Sequence, residues 1–196
     1  MFLVNASQSN DFSVHNDAVL KVQSDCHEIM QLCNLDILTT QFSNERQIIE
    51  SEEFVHFDTY AGVINLKYLE RDVQTDNPFQ PIYSTVNNDA ATTSMIDIFC
   101  ELLNRDSYGS SGYVSARNVW FEQYNMPRAI CINLATCPTE AEFQREVPAY
   151  GQRIATCLIA YLRFLLPAAI PLIDSKCRDF FGEKSDYVSG KLPYEL

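Results

Sequence analysis

Glycine, basic residues and histidine are scarce in this sequence, and each shortage narrows the classes of protein that it can encode. The 196 residues include 6 glycines, 14 lysines and arginines, and 3 histidines. Few glycines leave little chain for the close backbone approach that phosphate-binding loops require. Lysine and arginine are far outnumbered by the 26 acidic residues. This balance disfavours a surface that binds nucleic acid, because phosphate contacts depend on clustered lysine and arginine. We therefore expect no direct contact with nucleic acid.

The excess of acidic residues is concentrated in the N-terminal half of the chain. Residues 1–98 carry 15 acidic and 4 basic residues, so 11 of the 12 excess negative charges lie there. Such a surface favours a basic protein partner, although the acids could equally serve only to keep the fold soluble. The candidate partner-binding residues are the acids of this half that cluster most densely or follow in a polar stretch: Glu50, Glu52, Glu53, Asp72 and Asp76.

Seven cysteines are present, an odd number, and no two of them form a Cys-x-x-Cys pair. This pattern predicts free buried thiols in a reducing compartment, either the cytoplasm or the interior of an assembled particle, and no disulfide framework. The start of the chain lacks the basic residues of a signal peptide. Zinc needs closely spaced ligands, and the nearest approaches are Cys26-His27 with Cys33, and Cys131 with Cys137. On a helix His27 points about 100° away from Cys26, so we predict no metal and no cofactor.

The apolar stretch Ile154–Ile173 is 20 residues long, enough to cross a bilayer by length alone. Arg163 lies at its centre, and a central arginine costs about 2.5–3.5 kcal/mol on insertion scales. Pro167 and Pro171 remove backbone donors that lipid cannot replace. The stretch is therefore predicted to be a buried helix, without membrane contact.

The pattern of apolar residues predicts a single globular α+β domain over 16–182, with a polar arm at 1–15 and a polar tail at 183–196. The domain is predicted to be mostly helical. A central apolar helix at about 150–166 would pack on a small antiparallel sheet made from about 54–69 and 113–136.

Local signals predict the individual elements. A helix begins near Asn16 or Asp17 and buries Val19, Val22, Cys26, Ile29, Met30 and Cys33. A hairpin turns at Ala61-Gly62, residues 71–91 form a long loop, and a further helix covers Thr92–Leu103. Pro148 should interrupt or restart the helix that opens at Thr139.

Three arrangements of residues suggest chemistry, and each has a simpler explanation. His56, Asp58 and Tyr60 would share one face of the hairpin, where a carboxylate could orient the imidazole, yet an exposed polar face has the same pattern. The Gly/Ser-rich segment at 107–112 lacks the Gly-Lys-Ser/Thr ending of a phosphate-binding loop. No arrangement supplies nucleophile, base and stabilising donor together.

These observations favour a non-catalytic structural or interaction subunit of a multi-protein assembly, such as a viral or phage particle. Its partners would be proteins, in a homo- or hetero-oligomer. The alternative is an acidic inhibitor or decoy that covers a basic surface on a partner. A third hypothesis is an enzyme that uses His56 and Asp58, or one of the cysteines.

Overall fold

The structure of the protein, a computed structural model, describes residues 1–8, 13–51, 60–69, 79–84, 90–104, 116–117, 128–135 and 140–181. These segments contain six strands, five α-helices and one 3-10 turn. In chain order they are β1 (Phe2–Ala6), α1 (Ser13–Leu32), β2 (Ile37–Thr40), α2 (Glu45–Glu50), β3 (Gly62–Leu69), β4 (Phe79–Ser84), α3 (Ala90–Asn104), β5 (Ala116–Arg117), β6 (Ala129–Ala135), α4 (Glu140–Leu165), a 3-10 turn (Pro167–Ala169) and α5 (Ile170–Phe181).

The strands form one six-stranded sheet in the order β2-β1-β3-β6-β4-β5. The first four of these are mutually parallel, whereas β4 runs antiparallel to β6, and β5 pairs with β4 in parallel. The fold is therefore α/β with a four-stranded parallel core. The prediction of a mostly helical α+β domain on a small antiparallel sheet is wrong. The partners of a parallel strand come from distant parts of the chain, so local alternation gave no sign of them.

Strand β3 corrects the predicted hairpin. Gly62–Leu69 is one continuous strand that pairs with β1 on one side and β6 on the other. A Cβ on Gly62 would lie 3.0 Å from the Met95 side chain, so this glycine lets α3 approach the sheet and does not form a turn. The earlier residues of the predicted hairpin, 54–59, lie outside the described part of the chain.

Strand β1 lies inside the region predicted to be a polar arm. All five of its residues are buried, and it pairs on both sides, with β2 and β3. The described part of the predicted loop at 71–91 contains β4 and the start of α3. The sequence did not predict β1 or β4 because both strands are short. A strand of five or six residues contains too few repeats of the alternating apolar and polar pattern to be recognised.

The large helices cover one face of the sheet. Side chains of α1, α3, α4 and α5 pack there against alternate residues of β1, β3 and β6, which include Val4, Ile64 and Ile132. The predicted apolar face of α1 is buried at all of its positions. On the opposite face, hereafter the second face, Ile48 of α2 packs on Leu3, Val63, Ala129 and Cys131.

Helix α4 is the predicted hydrophobic centre, and every residue from Ile154 to Tyr161 is buried. The Tyr161 ring lies 6.4 Å from that of Phe2, and its hydroxyl donates to the carbonyl of Ala91 at 3.1 Å. The predicted interruption at Pro148 is wrong, because the helix is continuous from Glu140 to Leu165.

The arginine that argued against a membrane span is buried, with 2% of its side chain exposed. Arg163 donates to the carboxylate of Asp174 at 2.7 Å, which joins α4 to α5 across a bend of 111°. Within the described segments no single helix is long and apolar enough to cross a membrane. The bent pair Tyr150–Leu165 and Pro167–Arg178 meets that test only when both are taken together, by length and composition.

Replacing Leu158 with Asp should prevent folding, because Leu158 is fully buried and the carboxylate would have no partner there. The matched control is Leu172→Asp in α5, where the residue is 61% exposed and the charge remains in water. Soluble yield and far-ultraviolet circular dichroism distinguish the two variants. A folded Leu158→Asp protein would contradict the assignment of α4 as the core helix.

Helices α1 and α4 lie very close together at Gly151. A Cβ there would lie 2.5 Å from Asp25 Cβ and 3.1 Å from the carbonyl oxygen of Val22. Alanine normally stabilises a helix by about 0.5–1 kcal/mol over glycine. Here Gly151→Ala should instead lower the free energy of unfolding by about 1–3 kcal/mol, since the helices must separate. Gln152→Ala, at the exposed neighbouring position, is the control, and urea denaturation is the measurement.

Candidate functional site

The carboxyl ends of the four parallel strands meet at one edge of the sheet, which we call the carboxyl edge. Open α/β sheets bind ligands outside this edge. On the second face, α2 packs near the opposite end, over a row of apolar register partners formed by Leu3, Val63 and Ala129. The residues nearer the carboxyl edge therefore make the candidate site.

The next row toward this edge is polar. Thr40, Asn5, Asn65 and Cys131 are successive register partners across β2, β1, β3 and β6, and we call them the polar row. Asn5 and Asn65 are fully buried in the centre of the sheet. Buried amides must find hydrogen-bond partners, so their surroundings are strongly constrained.

The Asn5 side chain binds the segment that follows β2. Its amide nitrogen donates to the carbonyl of Phe42 at 3.0 Å, and its oxygen accepts from the Phe42 amide at 2.7 Å. The same oxygen accepts from the Thr40 hydroxyl at 2.9 Å. The side-chain amide thus replaces the strand partner that Phe42 would otherwise need.

Asn65 connects β3 to β1 and β6. Its oxygen accepts from the Asn5 amide at 2.7 Å and from the Ser7 hydroxyl at 2.8 Å. Its nitrogen lies 3.9 Å from the Cys131 sulfur, a weak acceptor. The polar row is therefore a continuous chain of hydrogen bonds across four strands.

Gln23 of α1 also reaches the carboxyl ends of β1 and β2. Its amide nitrogen donates to the carbonyls of Val4 and Thr40, both at 2.7 Å. The side chain is buried, and these two bonds hold the two strand ends together. The carboxyl edge is thereby supported from both faces of the sheet.

Lys67 and Ser7 lie one step beyond the polar row. Lys67 is half-buried and follows Asn65 by two residues, so strand alternation places both on the second face. Its register partner on β6 is Asn133. Ser7 is held at the end of β1 by its backbone amide, which donates to the carbonyl of Leu66 at 2.8 Å. A cation and a hydroxyl thus occupy the carboxyl edge.

These groups can orient a polar ligand, and the described residues add no metal site to them. Within the segments that the structure describes, no three His, Cys, Asp or Glu side chains come together to hold a metal ion. Cys26, one of the weighed zinc ligands, is buried in α1, and burial raises the pKa of its thiol far above the usual value. It is an apolar packing residue there.

Among the described residues singled out from the sequence, Cys131 lies in the polar row, whereas Glu50 and Tyr60 lie away from this edge. Glu50 is exposed on α2 and pairs with Arg46, Nε to Oε1, at 2.8 Å. Tyr60 is 4% exposed and precedes Ala61, whose amide donates to the carbonyl of Met1, so it lies at the opposite end of β1. The remaining candidates lie outside the described residues: Glu52, Glu53, His56, Asp58, Asp72, Asp76, Cys137 and the segment 107–112.

The sequence did contain a signal for the polar row. Strands β1 and β3 each carry one asparagine within an apolar run, namely Asn5 and Asn65. An amide in a run that is otherwise suited to a buried strand indicates a buried hydrogen-bond network. Only the pairing of the strands brings these positions side by side.

The hydrogen bond between Asn5 and Asn65 can be tested with a double-mutant cycle. Asn5→Leu and Asn65→Leu should each lower the free energy of unfolding by about 1–3 kcal/mol, because each leaves the buried polar groups that contacted the asparagine without a hydrogen-bond partner. The double variant should lose less than the sum of the two, by about 1 kcal/mol, since both members of one bond are gone. Additive losses in urea denaturation would contradict a shared network.

Comparison of the sequence with protein-family profiles and with curated proteins finds no match. Solved structures do share the fold. The N-acetylmuramoyl-L-alanine amidase AmiC2 of Nostoc punctiforme has a TM-score of 0.60 at 12% identity, covering 83% of this chain and 97% of its own. The catalytic domain of the amidase CwlV from Bacillus (Paenibacillus) polymyxa has a TM-score of 0.60 at 10% identity, covering 83% and 98%.

A third structure, the N-acetylmuramoyl-L-alanine amidase of Clostridium difficile 630, has a TM-score of 0.59 at 9% identity, covering 82% of this chain and 96% of its own. At such identities the likeness is one of fold. This chain therefore has an amidase-like α/β fold.

This likeness corrects the functional predictions. The three solved structures named above are amidases, one of them described as a catalytic domain, so the prediction of a non-catalytic subunit of an assembly such as a virion is contradicted. The alternative of an acidic inhibitor is contradicted with it. Both arose because no nucleophile and base stand together in the sequence, whereas a site at the carboxyl edge of a parallel sheet takes its residues from separate strands.

Proposed function

We propose that this protein hydrolyses an amide bond of the kind that joins the carboxyl group of N-acetylmuramic acid to the amino group of L-alanine. The observation that carries the proposal is the fold. The chain shares it over 82–83% of its length with amidases that are themselves covered to 96–98%. Nearly the whole of each amidase structure thus has a counterpart in this chain.

The carboxyl edge is the proposed substrate site. It combines the strand ends at which α/β sheets bind ligands with a buried hydrogen-bond network immediately beneath. Such a network keeps the strand ends in one arrangement, which orienting a substrate requires. A peptide-substituted sugar offers amide, hydroxyl and carboxylate groups, which match the polar side chains found here.

Lys67 is the proposed electrostatic group. Amide hydrolysis places negative charge on the carbonyl oxygen in the transition state, and a fixed donor aimed at that oxygen lowers the barrier. Lys67 is the cation that β3 carries at the carboxyl edge, and it is half-buried there. Its ammonium group would bind the developing oxyanion or a carboxylate of the substrate.

Activation of water requires a base, and chain order indicates where to look for it. His15 lies in the first turn of α1, which follows the carboxyl end of β1, and Glu70 follows Leu69 at the end of β3 in the sequence. An imidazole or a carboxylate is the usual proton acceptor in hydrolysis. We assign the role to His15, with Glu70 as the alternative on chain order alone, since Glu70 lies outside the described segments.

The test is release of a free amine from defined substrates. Purified full-length protein should convert N-acetylmuramoyl-L-alanyl-D-isoglutamine to N-acetylmuramic acid and the free dipeptide, detected by mass spectrometry, and should release amino groups from purified peptidoglycan. Each reaction is run with added zinc and with a chelator. If neither product forms in any of these reactions, the proposal is overturned. Binding of the substrate without turnover would overturn it as well.

Variants connect any activity to the proposed edge. Lys67→Met should lower kcat/KM by roughly 100-fold or more, the usual effect of removing one oxyanion donor. Glu50→Gln, on the exposed face of α2, should leave it unchanged. Equal activity of the wild type and Lys67→Met would remove this lysine from the mechanism while leaving the hydrolysis itself established.

A further inference from the structure

Two cysteines far apart in the sequence meet where the end of α1 contacts α5. Cys33 and Cys177 are both buried in the same apolar cluster, and a hydrogen bond between their side chains shifts the pKa of both thiols. An independent bond confirms the approach of the two segments, because Lys176 Nζ donates to the carbonyl of Asn34 at 2.9 Å. The residues adjacent to both cysteines are thus joined as well.

The backbone on each side holds the pair in place. After α1, Asn34 adopts a left-handed conformation with φ of 50°, and the Leu35 amide donates to the carbonyl of Met30 at 2.9 Å. This arrangement terminates a helix rigidly and fixes the position of Cys33. Cys177 lies within α5, which the ion pair between Arg163 and Asp174 holds against α4.

We propose that Cys33 and Cys177 form a reversible disulfide, with a peroxide as the oxidant, that joins the end of α1 to α5. This modification is separate from the proposed hydrolytic activity. The Cys33 thiolate attacks one oxygen of hydrogen peroxide, which breaks the O–O bond and leaves a sulfenic acid and water. The Cys177 sulfur then attacks the sulfenic sulfur and releases a second water. Two thiols lose two protons and two electrons, and peroxide is reduced to two waters.

The electrostatic surroundings assign the two roles. The hydrogen bond from Cys177 lowers the pKa of the Cys33 thiol, against the effect of burial, so Cys33 is the attacking thiolate. The same hydrogen bond and burial raise the pKa of Cys177, which therefore remains protonated and acts second. The Arg163 guanidinium favours a negative charge on the Cys177 sulfur, opposing these effects. Burial of both sulfurs selects a small neutral oxidant over a bulky charged one.

The decisive experiment maps the thiols of the folded full-length protein. The protein is treated with hydrogen peroxide, its remaining thiols are alkylated in denaturant, and its peptides are analysed by mass spectrometry. We expect a linked peptide pair containing Cys33 and Cys177, which dithiothreitol separates. Oxidised glutathione should produce the link at least 10-fold more slowly than peroxide. Recovery of both cysteines alkylated, or linked to other cysteines, would overturn the proposal.

Variants and stability supply two further readouts. Cys33→Ala and Cys177→Ala should each abolish the link, whereas Cys26→Ala, at a buried cysteine within α1, should retain it. Oxidation of the wild type should raise the midpoint of thermal unfolding by roughly 5–15 °C, because the bond closes a very long loop. An unchanged midpoint would show that the bond does not join α5 to α1 in the folded protein. The peptide map of the wild type remains decisive if a variant folds poorly.

Discussion

The hydrogen bonds of two asparagines in the middle of a parallel sheet are the constraint on which the rest of the architecture depends. Asn5 and Asn65 are buried side by side, where an unsatisfied amide would cost several kilocalories per mole. Their partners come from β1, β2, β3 and the segment after β2, so all must be present in one register. A slip of one residue would turn both amides toward the helices on the other face.

The same constraint places the smaller helix of the second face. Asn5 holds the backbone of Phe42, and α2 begins shortly afterwards with Asn44 as its N-cap, accepting from the Gln47 amide at 3.1 Å. Ile48 of that helix then covers the apolar row at the far end of the strands. The carboxyl end of the second face therefore stays lined by polar groups.

On the other face the constraint is steric. Helix α4 is buried along its centre, and α1 can lie against it closely because Gly151 has no side chain. The bend after α4 turns α5 back toward the end of α1, where Arg163, Asp174 and the two cysteines meet. Helix α1 contributes to both places: Gln23 holds the ends of β1 and β2 together, and Cys33 directly follows the last residue of the helix.

The sequence by itself determined the helices and much of the core, because helix periodicity, capping and apolar length act within a few residues. It predicted α3 to within two residues at its start, the buried face of α1, and α4 as the central helix with Arg163 inside it. Only the tertiary structure decided the sheet. Strand β1 is a strand because it pairs with β2 and β3, and at least one helix separates it in sequence from each of them. Residue types cannot show which distant strands pair. The same reason applies to the candidate site, since Asn5, Asn65 and Lys67 are unremarkable apart and become one polar edge only when parallel pairing aligns them.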